Sequence, residues 1–212
     1  SFVDDGYLAK YVAEAPSWGR RLLAGSGAAR EEERAGKMPA LPGITGAALQ
    51  AKTFAPIRWI VPDYIVEGLT LLAGKPKVGK SWMALNLACA VAAGGSAFSA
   101  VSCEAGDVLA LALEDNQRRL QSRMQQMMGD ARWPARLTFH TEWPRLDAGG
   151  LEAIEAWIEA AAKPRLVVID VWAKVRGRAD AKKTQYTDDF ESVGQLQQLA
   201  LKHRIGIVLI HH

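Results

Sequence analysis

Residues 74–81 read Gly-Lys-Pro-Lys-Val-Gly-Lys-Ser, a G-x-x-x-x-G-K-S pattern, and no other stretch constrains the fold as tightly. An apolar run, Leu69-Thr70-Leu71-Leu72-Ala73, comes just before it and predicts a buried strand. Trp82 to Ala93, rich in Ala, Leu and Met, follows and predicts a helix. Strand, glycine-containing loop and helix in that order form the setting that a phosphate-binding P-loop requires. Backbone N–H groups at a helix N-terminus point at an anion, and the helix dipole favours negative charge there. Gly74 and Gly79 let the backbone turn sharply and approach phosphate oxygens with no side chain in the way. Lys75, Pro76, Lys77, Val78 and Trp82 complete the expected cradle. Lys80 is expected to reach the β- and γ-phosphates and Ser81 to ligand Mg²⁺, which makes ATP and Mg²⁺ the expected ligands. A glycine-rich turn capping a core helix is the plainer alternative, but it leaves the Lys-Ser pair unexplained.

A chain of 212 residues suffices for one sizeable α/β core with a short appendage. Its 49% apolar content excludes a disordered protein. A net charge of +3 permits a nucleic-acid partner without demanding one. Cys89 and Cys103 are too far apart to make a zinc-ligand pattern or a disulfide framework, and they fit a reducing cytoplasm. The apolar run Ala84–Ala93 is too short to span a bilayer, and no signal peptide is evident, so a cytoplasmic protein off the membrane is expected. The chain starts at Ser1 and stops at His212, directly after a strand-like run, so a fragment of a longer protein is expected.

Along the chain, Leu8, Tyr11, Val12 and Ala15 have the spacing of a short amphipathic helix over Asp4–Ala15, within an N-terminal segment 1–23. Residues 24–56, with many Gly and Pro and a mixed-charge run, read as a linker. The core then spans 57–212. Strands are predicted at Ile57–Val61, Leu69–Ala73, Val108–Leu113, Arg136–His140, Leu166–Asp170 and Ile205–Ile210. Helices are predicted at Trp82–Ala93, Gln117–Met128, Leu151–Ala162 and Asp188–His203. The last is expected to turn Phe190, Val193, Leu196, Leu199 and Ala200 inward. A long loop is predicted from Val171 to Thr187. Apolar strands alternating with helices predict a three-layer α/β fold, a mostly parallel sheet with helices on both faces.

Two further strand ends carry chemistry. Leu166-Val167-Val168-Ile169-Asp170 is an apolar strand ending in an acid. Ligands bind at the carboxyl ends of strands in open α/β sheets, and an Asp there can hold Mg²⁺ directly or through water. Such an Asp can also be a simple turn or helix cap, but its pairing with an upstream P-loop favours the metal. Leu109–Leu113 ends in Glu114-Asp115-Asn116. Glu114 is the candidate to polarise a water for attack on the γ-phosphate, with Asp115 or Asn116 capping the next helix. His211 and His212 close the chain at a strand tip beside the P-loop. His212 can report on the γ-phosphate, or the pair can be an exposed strand end or the start of a tag.

Four stretches together carry a resemblance: Leu72 to Trp82, Ala112-Leu113-Glu114-Asp115, Val167-Val168-Ile169-Asp170 and Ile210-His211-His212. Over roughly residues 54–212 the chain resembles the RepA-like branch of RecA-fold P-loop ATPases, relatives of the hexameric replicative helicases. The Trp172–Arg176 stretch is similar to that family as well. The resemblance implies a RecA-like core, ATP with Mg²⁺, and a homo-oligomeric ring. It implies that Lys80 and Ser81 bind phosphate and metal, Asp170 serves Mg²⁺, Glu114 activates water and His212 senses γ-phosphate. It also implies further strands and a neighbour-directed basic residue after His212.

The predicted loop holds Lys174, Arg176, Arg178, Lys182 and Lys183, against which only Asp180 stands. Basic residues on a loop suit contacts to a single-stranded backbone, and a solvated loop suits them equally. In ring helicases and recombinases a loop here faces the central channel, so the resemblance favours single-stranded DNA. Arg118, Arg119, Arg123, Arg132 and Arg136 read as a solvated helix face or a subunit interface. The leading expectation is an ATP-driven motor on single-stranded DNA, in plasmid, phage or mobile-element replication. The alternative is a nucleotide-gated assembly or regulatory ATPase of the same fold. A small-molecule kinase is disfavoured, because no Arg-rich lid with an acceptor site is evident.

Overall fold

The computed structural model describes residues 43–177 and 185–211. The helix expected at Asp4–Ala15 lies outside them. The chain divides into two units, Ser1–Phe54 and Ala55–His212. In the first, α1 (Gly46–Gln50) is a single helical turn inside the stretch read as a linker. Thr45 starts it by accepting a hydrogen bond from the Ala48 N–H (3.2 Å).

The second unit is built on a parallel sheet. In chain order its elements are β1 (Trp59–Val61), β2 (Ile65–Val66), β3 (Gly68–Ala73), α2 (Lys80–Ala93), β4 (Ser96–Ala97) and β5 (Val101–Ser102). Then come β6 (Asp107–Ala112), α3 (Gln117–Met128), β7 (Leu137–His140), α4 (Gly150–Ala160), β8 (Pro164–Asp170), α5 (Trp172–Val175), α6 (Gln185–His203) and β9 (Gly206–His211). Five strands form the main sheet in the order β3-β9-β8-β6-β7, all parallel. The pairs β1–β2 and β4–β5 are small antiparallel hairpins; β1 falls within the strand expected at Ile57–Val61, while β2, β4 and β5 lie outside the predicted strands.

The side-chain period of two divides the core. Val108, Ala110, Val168, Val208 and Ile210 face one side, where α2 supplies Ala84, Leu87, Ala88 and Val91. Leu109, Leu111, Val167, Ile169, Ile207 and Leu209 face the other, against Ile154 and Ile158 of α4 and Leu196, Leu199 and Ala200 of α6. From Arg165 to Asp170, β8 is buried at every residue, as a central strand covered on both faces must be. This is the three-layer arrangement that the alternation of strands and helices predicts.

Two details depart from expectation. Phe190 does not point inward and is 71% exposed. The helix α6 runs antiparallel to β9, and the two are joined at the foot of the sheet. Thirteen residues of helix rise about 20 Å, as much as six residues of strand. Phe190 therefore sits at the rim, where the sheet ends. The long loop expected after Asp170 is interrupted by α5, whose Trp172 and Val175 are buried in the core.

Polar clasps close the foot of the sheet. Gln197 of α6 accepts the Leu69 N–H through its side-chain oxygen (2.6 Å), which gives a partner to the edge strand β3. Buried Arg165 holds Glu104 (2.9 Å) and donates to the Trp59 carbonyl (2.8 Å). Gly206 opens β9 where the β1–β2 hairpin crosses it. A Cβ at that position would lie 2.9 Å from Ile60 Cγ1 and 3.3 Å from Ile65 Cγ2. Gly206→Val should therefore cost about 1–3 kcal/mol by overpacking. Urea denaturation checks this, and a midpoint equal to wild type would show that the hairpin yields freely.

Candidate functional site

The carboxyl ends of β3, β6, β8 and β9 converge on one crevice, the place where open parallel sheets bind ligands. After β3 the loop 74–79 turns back into α2. Lys77 and Gly79 carry positive φ values of 67° and 96°. A Cβ on Gly79 would meet nothing within 4 Å, so its backbone angle, not crowding, demands glycine. The loop is exposed from Gly74 to Gly79, and the chain then dives inward at Lys80, which is 7% exposed. Lys80 Nζ donates to the carbonyls of Gly74 (2.6 Å) and Lys75 (2.8 Å), which holds the ammonium inside the curve of the loop. Ser81 is half-buried on the first turn of α2, and Trp82 lies beside it at the surface.

Asp170 ends β8 facing Ser81. It is 9% exposed, and its Oδ1 has no hydrogen-bond partner among the described residues. Loss of solvent raises its pKa above the usual carboxylate value. The Ser81 hydroxyl close by opposes the rise, Glu114 and Asp115 add to it by like charge, and Arg123 offsets part of it. A buried, under-coordinated carboxylate oxygen beside a serine hydroxyl is a donor set that suits a divalent cation such as Mg²⁺.

The turn after β6 carries the other acids. The Leu113 N–H donates to the Asp170 carbonyl (2.7 Å), which joins the ends of β6 and β8. Glu114 is exposed and within electrostatic reach of Asp170. Asn116, not Asp115, caps α3, its side chain accepting the Arg119 N–H (2.9 Å). Asp115 turns inward instead. Its side chain is 5% exposed and is clamped by Arg123 (2.6 Å) and Arg119 (3.0 Å). The Arg123 guanidinium in turn lies over the Trp82 ring, 5.5 Å from its centroid. Ser81, Asp115, Arg123 and Asp170 line one recess between α2, α3 and the sheet.

Sequence reasoning treated Arg119 and Arg123 as a solvated face and missed this clamp. The signal was present. Asp115, Arg119 and Arg123 recur at intervals of four, which places them on one side of a helical start.

His211 ends β9 in register with Ala73, next to the P-loop, and is exposed. His212 lies outside the described residues. Of the basic residues after β8, Lys174 is exposed on α5, and Arg176 is partly buried just beyond it. Arg178, Lys182 and Lys183 lie outside the described residues. Among the described residues no helix is long and apolar enough to cross a membrane.

The raised pKa of Asp170 has a sign that can be tested. A carboxyl whose folded pKa is raised stabilises the fold below the unfolded value, and that stability is lost as pH rises through the folded value. At neutral pH Asp170 therefore burdens the fold. Asp170→Asn should stabilise the protein without Mg²⁺ by about 1 kcal/mol, roughly 2–4 °C in Tm, with a smaller gain as pH falls toward 4. Melting curves across pH check this, and an Asn variant that melts lower at pH 7.5 would contradict it.

The AAA domain family model matches residues 33–212. No curated protein matches the chain. Among solved structures, a KaiC-like protein from the hyperthermophilic archaeon Pyrococcus horikoshii OT3 is similar, with a TM-score of 0.50 and 16% identity. That alignment covers 71% of this chain and 64% of the other. A DnaB-like replicative helicase, solved in a study of its interactions with primase, is similar with a TM-score of 0.50 and 14% identity. It is matched over 69% of this chain and 39% of its own. The chain thus spans less than two thirds of the length of either, and identities this low speak for the fold alone. The family match covers most of the sequence, and the sheet order and P-loop agree with it: the chain belongs to the AAA domain family, with the fold of the RecA-like P-loop ATPases.

Proposed function

We propose that this chain is the Mg²⁺-dependent, ATP-hydrolysing motor of a ring-forming helicase that moves along single-stranded DNA. The observation that carries the reading is the meeting of Ser81 with a buried, under-coordinated Asp170 oxygen beneath a P-loop whose lysine is already held inside it. In this reading residues 57–212 form the motor core, residues 24–56 link it to the segment 1–23, and the working state is a homo-oligomeric ring, with a hexamer as one candidate size. Plasmid, phage or mobile-element replication is the expected setting.

Each residue has a defined task. The loop N–H groups from Gly74 to Lys80, at the positive end of α2, bind the phosphate oxygens. Lys80 exchanges its two carbonyl partners for β- and γ-phosphate oxygens, a charge-assisted contact stronger than either. Ser81 and Asp170 hold Mg²⁺, which supplies charge neutralisation between the phosphates. Glu114, exposed at the turn after β6, accepts the proton of the attacking water. His212, one residue past the end of β9, reads the γ-phosphate and reports its loss. Lys174 and Arg176, with Arg178, Lys182 and Lys183, contact the DNA backbone, so hydrolysis is coupled to grip on the strand.

Lys80→Ala should remove ATP turnover; turnover within twofold of wild type would end the assignment. Replacing Lys174, Arg178, Lys182 and Lys183 together by Glu should abolish the stimulation of ATPase by single-stranded DNA while sparing the basal rate. Stimulation that survives would remove the DNA loop from the scheme. A strand-displacement assay separates the motor from a nucleotide-gated assembly ATPase of the same fold, which would bind and hydrolyse ATP without unwinding.

A further inference from the structure

Glu114 and Asp115 are neighbours with opposite surroundings. Glu114 is exposed, while the side chain of Asp115 is 5% exposed. Glu114 is a corner residue of the turn that the Asp115 N–H closes onto the Ala112 carbonyl, so anchoring Asp115 fixes the end of the turn that carries Glu114. The anchor of Asp115 is built from two helices. Arg123 of α3 donates to Asp115 Oδ2 (2.6 Å) and is seated over Trp82, the residue directly after the P-loop serine, while the exposed Arg119 lies 3.0 Å from Oδ1 as an ion pair without a hydrogen bond. The turn itself is pinned at both ends. Leu113 N–H is tied to the Asp170 carbonyl, and Asp115 N–H donates to the Ala112 carbonyl (3.2 Å). Asp115 therefore links three parts of the crevice: the turn bearing Glu114, the helix α3, and the first turn of α2.

We infer that Asp115 is a positioning residue: clamped by Arg119 and Arg123 against Trp82, it aims Glu114 and ties that aim to the phosphate-binding loop. The inference rests on the ATPase reading given above and adds a residue to it. Asp115 does not touch the reacting atoms; it acts through Glu114. Its carboxylate is buried and hydrogen-bonded to Arg123 through Oδ2, which leaves the exposed Glu114 as the group that meets water. A misplacement of about 1 Å at a catalytic group costs up to about a hundredfold in rate, which is the range such a residue can command.

The test is a pair of double-mutant cycles on ATP hydrolysis by the full-length protein, with nucleotide affinity and Tm measured for every variant. Asp115→Asn should lower kcat by about tenfold to a hundredfold while the affinity for Mg²⁺·ATP stays within about twofold. Arg123→Met should do the same, and Arg123→Lys, which keeps the cation, should recover part of the loss. Glu114→Gln should lower kcat by about a hundredfold or more. The deciding variant is Glu114→Gln with Asp115→Asn. If Asp115 acts through Glu114, the double variant is no slower than Glu114→Gln alone. If the two losses multiply, Asp115 acts independently and the inference is overturned, while the role of Glu114 stands. If Glu114→Gln turns over at the wild-type rate, both the base assignment and this inference fall. Should Asp115→Asn fail to fold, the cycle of Arg123→Lys with Glu114→Gln reads the same coupling through a milder change.

Discussion

A carboxylate at the end of a strand buried on both faces is the constraint around which this molecule is organised. From Arg165 to Asp170, β8 lies in the centre of the sheet with apolar layers above and below. Hydrophobic burial holds it there, and the same burial strips solvent from Asp170. An unpaired charge in such a position is costly, and the surroundings meet the cost only in part. The neighbouring Ser81 hydroxyl favours the charged carboxylate, and the Arg123 cation does so more weakly. The Asp170 Oδ1 has no hydrogen-bond partner among the described residues. Such an oxygen is one that a divalent cation would satisfy, and a local cost to stability of this kind is expected at functional sites.

The rest of the crevice follows from the register of the strands next to β8. Its pairing with β6 sets Ala112 opposite Asp170, which brings Glu114 and Asp115 to the same level. Its pairing with β9, and that of β9 with β3, sets His211 opposite Ala73 at the mouth of the P-loop. A slip of one residue in any ladder would turn these side chains to the wrong face. The apolar alternation of β6, β8 and β9 is thus what aligns the polar groups at their ends. The packing of α2 against the same sheet delivers the loop, with Gly79 in a left-handed conformation and Lys80 drawn inside.

Much of this was legible in the residues alone. The P-loop sequence announced its own strand–loop–helix setting, and the apolar runs at 108–113, 166–170 and 205–210 read as buried strands, within one or two residues of those found. The helix expected at about Gln117–Met128 is found there, and of the two cap candidates, Asp115 and Asn116, it is Asn116 that caps it. What escaped was structure that depends on distant contact. The hairpin at 59–66 is too short to show a period, and it is fixed by packing on Gly206. Phe190 has the spacing of a core residue, but it lies at the rim of the sheet, a fact of tertiary length and not of pattern. The four-residue helix after Asp170 is held by burial of Trp172 and Val175 rather than by any helical signal. Among the acids, type and position were readable but orientation was not. Only the fold shows that Asp115 faces inward and that Glu114 is exposed.

The central claim is that Ser81 and Asp170 make the cation site of a bound nucleoside triphosphate. Electron paramagnetic resonance with Mn²⁺ in place of Mg²⁺ tests it most directly, because the metal itself is the probe. In the presence of a non-hydrolysable ATP analogue, one Mn²⁺ per chain should become immobilised, and Ser81→Ala should release it. Immobilisation unchanged by Ser81→Ala, or absent in the wild-type chain at saturating nucleotide, would contradict the account.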